Sequence, residues 1–209
     1  MLHHRSSFCR ASLHHRVLRA VTGAIVAGVF VAAPAALADA VLHVPCSLDS
    51  AEILRLHNIS REAVGDAPLH WSDQLAAGAQ QWANELARRN QMVHSHTPDV
   101  GENLAMWWGH HPTIDTMMAM WTDEKDMFQP GVFPANSTSG SWQTVAHYTQ
   151  MVWRNTTEVG CGVADNGRTE YLVCWYNPKG NIFGEDPLNR QATRQAWASE
   201  APTGLSASR

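Results

Sequence analysis

The sequence predicts an α+β domain in which helices pack against a small antiparallel sheet. The first half of the chain carries three segments with helical periodicity, and the second half carries two apolar strands, near residues 158–164 and 170–176, around Asn166-Gly167. Helices followed by a late hairpin are typical of layered α+β folds, because each element must bury its apolar face against another. We expect further strand near residues 149–153.

The N-terminal 38 residues have the pattern of a secretory signal peptide. Four arginines and no acidic residue lie in the first twenty positions, an apolar run spans 21–33, and Ala36-Leu37-Ala38 has the small-x-small pattern of a cleavage site. A membrane anchor is the alternative, but Pro34 interrupts a run that is already short for a bilayer span. We therefore expect a secreted, extracellular protein, or a periplasmic or cell-wall protein in a bacterium.

The charge of the chain after this leader excludes one class of partner. Removing residues 1–38 leaves eleven basic against nineteen acidic residues, so the net charge moves from −4 to −8 with histidines neutral. Such a chain lacks the basic surface that nucleic-acid binding requires and has little attraction for anionic membranes. The sequence predicts no nucleic-acid partner and no integral membrane segment in the mature chain.

Each predicted helix begins at a capping residue. Asp49 with Glu52 forms a capping box for the first helix, which closes at Gly65; Ser72 caps the second helix and Thr113 the third. The predicted apolar face of the second helix is Leu75, Ala79, Trp82, Ala83, Leu86 and Val93, and that of the third is Ile114, Met117, Met118, Trp121 and Phe128.

Helical spacing places one acidic residue on an apolar face. Glu124 follows Trp121 by three positions and Met117 by seven, so it points the same way as both. A buried carboxylate requires a partner, because an unpaired buried charge is expensive. The alternative is that the helix frays before Glu124 and leaves it in solvent.

The hairpin predicts a disulfide between Cys161 and Cys174. A four-residue turn at 166–169 places the two cysteines directly opposite each other, whereas a two-residue turn leaves them diagonal on the same face. Cys9 is lost with the leader, so Cys46 is either free or paired with another chain.

Dense blocks of polar and aromatic residues follow one another along the chain: Leu56-His57-Asn58, Leu69-His70-Trp71-Ser72, His94-Ser95, Gly101-Glu102-Asn103-Leu104-Ala105, Trp121-Thr122-Asp123-Glu124, His147-Tyr148-Thr149-Gln150-Met151-Val152-Trp153 with Gly160-Cys161-Gly162, and Cys174-Trp175-Tyr176-Asn177-Pro178-Lys179-Gly180-Asn181. Taken in order, these blocks resemble the CAP superfamily of cysteine-rich secretory proteins, antigen 5 and pathogenesis-related proteins. The resemblance implies a three-layer α-β-α sandwich with a central antiparallel sheet and an open cleft. It sets the domain at 49–184, between a lead-in at 39–48 and a polar tail at 185–209.

The resemblance also implies a cleft site built from two histidines and two glutamates. Carried over residue by residue, these are His94, His147, Glu102 and Glu124, with His96 as an alternative to His94. Imidazoles beside carboxylates suit zinc or another divalent cation, which the two histidines would hold. The glutamates would be catalytic only if the protein is a hydrolase. The alternative is a purely structural role for the four residues.

The function that the resemblance implies is the binding or sequestration of sterols, fatty acids or other small hydrophobic ligands, in defence or host interaction. The long Pro-, Gly- and Ser-rich segment 129–146 offers Val132, Phe133 and Trp142 as candidate ligand-binding residues, since long loops of this type often carry function. An ordinary loop with its aromatic residues tucked under is the alternative. The competing function is a metal-dependent hydrolase of peptides or cell-wall material.

Overall fold

The computed structural model describes residues 49–109 and 111–189, in which helices cover both faces of one sheet. The predicted signal peptide, the lead-in, Cys46 and residues 190–209 lie outside the described residues. The elements are α1 (Ser50–Ala63), β1 (His70–Trp71), α2 (Asp73–Arg89), β2 (Gly101–Trp108), α3 (Ile114–Thr122), α4 (Ala146–Met151), β3 (Glu158–Asp165) and β4 (Thr169–Asn177), with 3₁₀ turns at Asp123–Met127 and Trp142–Thr144.

The described strands lie in the order β1-β3-β4-β2. The pairs β2–β4 and β3–β4 are antiparallel, and the short edge strand β1 pairs with β3 in parallel. Within residues 49–109 and 111–189, no helix is long and apolar enough to cross a membrane.

Side chains of β4 alternate between two hydrophobic layers. Leu172 and Tyr176 pack with residues of α1, α3 and α4. Tyr171 and Val173 pack with the apolar face of α2 on the opposite side. Leu188, from the segment predicted as polar tail, joins the first layer and is 7% exposed. The sheet therefore lies between two helical layers, which confirms the predicted α-β-α sandwich.

Two glycines allow α2 to lie directly on β3. A Cβ at Gly160 would collide with the backbone of Ala76, and one at Gly162 would collide with the backbone of Gln80. Backbone atoms cannot rotate away as side chains can, so a larger residue at either position would push α2 off the sheet.

The predicted caps form, with one correction to the second helix. Asp49 Oδ1 accepts the Glu52 N–H at 3.0 Å, and Ser72 and Thr113 cap α2 and α3 in the same way. However, α2 ends at Asn90, whose φ of 51° is left-handed. Val93 consequently lies outside the helix and is 43% exposed, so its place on the apolar face was wrong.

The strand predicted near residues 149–153 was also wrong, because this segment begins as helix α4. The backbone N–H groups of His147 and Tyr148 in its first turn both donate to Glu124 Oε2 at 2.9 Å. A carboxylate from a distant part of the chain thus satisfies donors that a helix start leaves unpaired. Nothing in the sequence of residues 146–151 indicates that Glu124 completes the start of this helix.

The hairpin follows the four-residue turn, which pairs Asp165 with Glu170. Cys161 and Cys174 consequently lie directly opposite each other and form the predicted disulfide, with an S–S distance of 2.02 Å. Both cysteines are buried. The bond cross-links two adjacent strands beneath the layer of α1, α3 and α4.

Two buried polar side chains of α1 tie the core together. Arg61, 1% exposed, donates to the carbonyl groups of Met151, Trp153 and Thr156, which joins α1 to the chain between α4 and β3. His57 is completely buried, and burial lowers its pKa to about 4. Its ring is therefore neutral throughout the physiological range.

The buried state of His57 predicts a pH-dependent stability. Because its pKa falls from 6.5 in the unfolded chain to about 4 in the folded chain, stability is full above pH 6.5 and is lost as the pH falls toward 4. The loss from this group is about 3 kcal/mol near pH 4. We expect the difference in unfolding free energy between wild type and His57→Gln, measured by urea titration, to shrink by that amount. A difference that is constant with pH would contradict this assignment.

Candidate functional site

The loop after α2 and strand β2 bring together the first histidine–glutamate pair. His94 Nδ1 donates to Glu102 Oε1 at 2.6 Å, and the Ser95 N–H donates to the same oxygen at 3.0 Å. The indole Nε1 of Trp175, on the neighbouring strand β4, donates to Glu102 Oε2 at 2.9 Å. Both carboxylate oxygens of Glu102 are therefore held by protein donors.

These contacts set the charge states of the pair. Burial alone would raise the pKa of Glu102, but the hydrogen bonds from His94, Ser95 and Trp175 outweigh burial and leave its pKa below the usual value. The hydrogen bond to Glu102 raises the pKa of His94 against the opposing effect of burial. The imidazole is 55% exposed while the carboxylate is 7% exposed, so the ring forms the accessible surface of the pair.

The second pair joins the 3₁₀ turn after α3 to the start of α4. His147 Nδ1 donates to Glu124 Oε1 at 2.6 Å, and Trp121 stacks on the His147 ring with 6.0 Å between centroids. Helix α3 ends before Glu124, as the alternative supposed. The Glu124 carboxylate nevertheless points inward, and the side chain is 15% exposed. The inward direction predicted from helical spacing is confirmed, with α4 and His147 as the required partners.

Strand β2 connects the two pairs. Asn103, the neighbour of Glu102, donates from Nδ2 to the backbone carbonyl of His147 at 3.1 Å. His96 lines the same cavity of about 200 Å³ as His94 and Glu102, but the ring bonded to the carboxylate is that of His94. In the part of the chain that the structure describes, no three His, Cys, Asp or Glu residues gather closely enough to form a metal cluster.

The two histidines share one chemical feature. In each ring, Nδ1 faces a carboxylate, which can only accept, so Nδ1 carries the hydrogen and Nε2 of the neutral ring keeps its lone pair. A histidine whose Nδ1–H is fixed by a carboxylate is oriented to bind a cation through Nε2. In this arrangement Glu102 and Glu124 position the rings.

The candidate ligand-binding residues of segment 129–146 fall into two groups. Phe133 is 1% exposed and packs edge to face against the rings of Trp142, Trp153 and Phe183. Val132 is 39% exposed and Trp142 is half-buried. Phe133 is therefore the base of an aromatic cluster whose outer part is reachable.

Phe183 completes the exposed part of this cluster and was missed by the sequence analysis. It is 66% exposed and lies 6.1 Å from the Trp142 ring, between centroids. Two residues before it, Asn181 bonds to the Ala146 carbonyl and to Thr149, which fixes the segment to α4. Its ring contacts with Phe133 and Trp142 identify it, since nothing in its local sequence does. We call Val132, Trp142 and Phe183 the loop patch.

Comparison with known proteins agrees with this geometry. A family model described as CAP, the cysteine-rich secretory protein family, matches residues 54–176. The chain belongs to the CAP family. Pathogenesis-related protein 1A of Nicotiana tabacum is 42% identical over 137 residues, which are 65% of this chain and 79% of the relative. Pathogenesis-related protein 1 of Arabidopsis thaliana is 36% identical over 138 residues, 65% of this chain and 80% of the relative.

Solved CAP-type structures show the same fold at lower sequence identity. A crystal structure of NaASP2 with Zn²⁺ superposes with a TM-score of 0.56 at 24% identity, covering 66% of this chain and 83% of that one. Hookworm platelet inhibitor superposes with a TM-score of 0.53 at 19% identity, covering 70% of this chain and 83% of that one. The CAP assignment thus rests on sequence and on fold together.

The first pair predicts a measurable change in histidine titration. Replacing Glu102 by Gln removes the carboxylate that stabilises the imidazolium of His94, so the pKa of His94 should fall. NMR titration of the ring protons measures it directly. Glu85→Gln, which alters a carboxylate paired with Arg88 and Arg89 on α2, serves as the control and should leave the His94 titration unchanged. An unaltered His94 titration in Glu102→Gln would contradict the pairing.

Proposed function

We propose that this CAP protein is secreted and binds or sequesters a small hydrophobic ligand, such as a sterol or a fatty acid, at the loop patch. The observation that carries the proposal is the exposure of Phe183 and Val132 on a rigid aromatic base. Apolar side chains clustered at the surface and rimmed by polar residues mark sites of binding. Ligand contact would remove this apolar surface from water, at about 25 cal/mol for each Å² buried.

The construction of the patch favours a preformed site. Phe133 is locked between three aromatic rings, and its backbone N–H donates to the Glu185 carbonyl at 2.8 Å. The Gly184 N–H in turn donates to the Phe133 carbonyl at 2.8 Å, so two loops hold each other in place. A ligand that meets an ordered surface avoids the entropy cost of ordering it.

Three further observations support the proposed compartment and setting. The leader has signal-peptide character, the disulfide suits an oxidising compartment, and the relatives in tobacco and Arabidopsis are named pathogenesis-related proteins. We therefore place the protein outside the cell, or in the periplasm or cell wall of a bacterium, in a defence or host-interaction role.

We further propose that His94 and His147 hold Zn²⁺ or another divalent cation through Nε2. The contacts of the two rings support this proposal: a glutamate accepts the Nδ1–H of each ring, and the side chains of His94 and His147 are 55% and 31% exposed. A bound cation would supply a fixed positive charge at the cleft. The chain's own contribution is to orient the two rings and to balance that charge with Glu102 and Glu124.

The competing hydrolase function receives less support from the same contacts. An ionised carboxylate offers about four acceptor positions, and in each glutamate three are already filled by protein donors. A general base needs an oxygen directed at the attacking water. Glu102 instead positions His94, and Glu124 positions His147 and the start of α4, so we rank hydrolysis second.

Ligand binding can be tested on the patch itself. We expect saturable binding of a sterol or fatty acid from a lipid panel, weakened about tenfold by Phe183→Ser because the variant loses the largest exposed apolar contact. Equilibrium binding of labelled lipid to purified protein measures the change. Phe133→Ala is avoided because that ring belongs to the core.

The matched control is Trp108→Ser, which removes an aromatic ring that is 76% exposed at the end of β2. It should leave lipid affinity unchanged. An absence of saturable binding across the panel would reject the lipid proposal. Equal losses in Phe183→Ser and Trp108→Ser would remove the loop patch as the site.

A further inference from the structure

A buried chain of hydrogen bonds begins at His57, on helix α1. His57 Nδ1 lies 2.8 Å from the Ile53 carbonyl, which can only accept, so Nδ1 carries the hydrogen. His57 Nε2 must then accept, and the Tyr176 hydroxyl at 2.8 Å is its donor. Both side chains are 0% exposed, so water does not compete for either bond.

The direction of the remaining bonds follows from this start. The Tyr176 oxygen has given its hydrogen to His57, so it accepts from Asn103 Nδ2 at 3.1 Å. The same Nδ2 also donates to the backbone carbonyl of His147 at 3.1 Å. Asn103 is 1% exposed, and its amide orientation is determined because only the nitrogen can donate to both oxygens.

The chain ends on the turn that carries the candidate ligand His147. From the other side, Glu124 accepts the backbone N–H and the Nδ1–H of His147. His147 is thus held at its backbone carbonyl by Asn103 and at its backbone N–H and its ring by Glu124. Helix α4 is six residues long, too short to hold its first turn without outside contacts.

We infer that His57, Tyr176 and Asn103 are positioning residues that set the orientation of His147 from within the core. The inference rests on the proposed function only in taking His147 as a cation ligand. It assigns to the buried histidine of α1 a role at the cleft, transmitted by two side chains of β4 and β2. The competing account is that the three residues satisfy one another and contribute stability alone.

A matched pair of variants on β4 separates the two accounts. Tyr176→Phe deletes the hydroxyl at the centre of the chain. Tyr171→Phe deletes a hydroxyl from a tyrosine that is likewise 1% exposed or less, on the opposite face of the same strand, where it donates to Asn90 at 3.3 Å. Tyr176→Phe removes two buried hydrogen bonds, and Tyr171→Phe removes one that is partly buried, so both should lower stability.

Two readouts report on His147. The first is NMR, through the ¹³C′ shift of His147 and the exchange of its amide and that of Tyr148. The second is the Zn²⁺ affinity by calorimetry. We expect Tyr176→Phe to move the shift, speed exchange and weaken Zn²⁺ binding about tenfold, as supporting groups of metal ligands do. Tyr171→Phe should change none of the three.

The inference is overturned if the His147 shift and exchange in Tyr176→Phe match those of Tyr171→Phe. Asn103→Leu, which deletes the last donor and spares the His57–Tyr176 bond, provides the same test if Tyr176→Phe does not fold. Wild type that fails to bind Zn²⁺ would reject the metal proposal alone. The NMR comparison would still decide whether the buried chain orients His147.

Discussion

The register of β2 against β4 is the constraint on which the candidate site depends. Glu102 lies opposite Trp175, Asn103 opposite Cys174, and Gly101 opposite Tyr176. Because side chains alternate along a strand, a slip of one residue would turn every side chain of β2 to the other face of the sheet. Glu102 would then lose the indole donor, and Asn103 would lose the Tyr176 hydroxyl. Leaving a buried donor or acceptor unsatisfied costs about 1–3 kcal/mol, and more for a charged group such as Glu102, so the register is strongly determined.

The same strand pairing explains how one sheet serves two helical layers and two histidines. On one face, Trp175 supports the Glu102–His94 pair beside α2. On the other face, Tyr176 connects with α1 and, through Asn103, with α4. The disulfide between β3 and β4 cross-links the hairpin at Cys174, next to Trp175 and Tyr176, which make these contacts on opposite faces of the sheet. The sheet thus supports both histidine–glutamate pairs, through Trp175 on one face and Asn103 on the other, while the rings come from the loop after α2 and from the start of α4.

Much of the fold could be predicted because its signals are local. The caps at Asp49, Ser72 and Thr113 and the turn that aligns the cysteines depend on residues a few positions apart. Strand β2 was not foreseen, since Gly101 and Asn103 are poor strand formers whose pairing comes from β4. Helix α4 was mistaken for strand because its start is completed by Glu124 from another element. Of the candidate site, the resemblance proposed the two histidines and two glutamates that the structure brings together in pairs. Trp175, Asn103 and Phe183 could not be found in this way, because they act through contacts across the sheet or between loops. Burial of Phe133 likewise depends on rings brought together only by folding.

Glu102 and Glu124 fix the rings of His94 and His147 with Nδ1–H bonded to a carboxylate, which leaves Nε2 of the neutral ring with its lone pair. Long-range ¹H–¹⁵N correlation NMR at mildly alkaline pH reports the tautomer of each neutral ring directly. We predict Nδ1–H for both His94 and His147, each with a proton shifted downfield by a strong bond to carboxylate. Spectra showing Nε2–H, or a rapid mixture of tautomers, at both residues would contradict it.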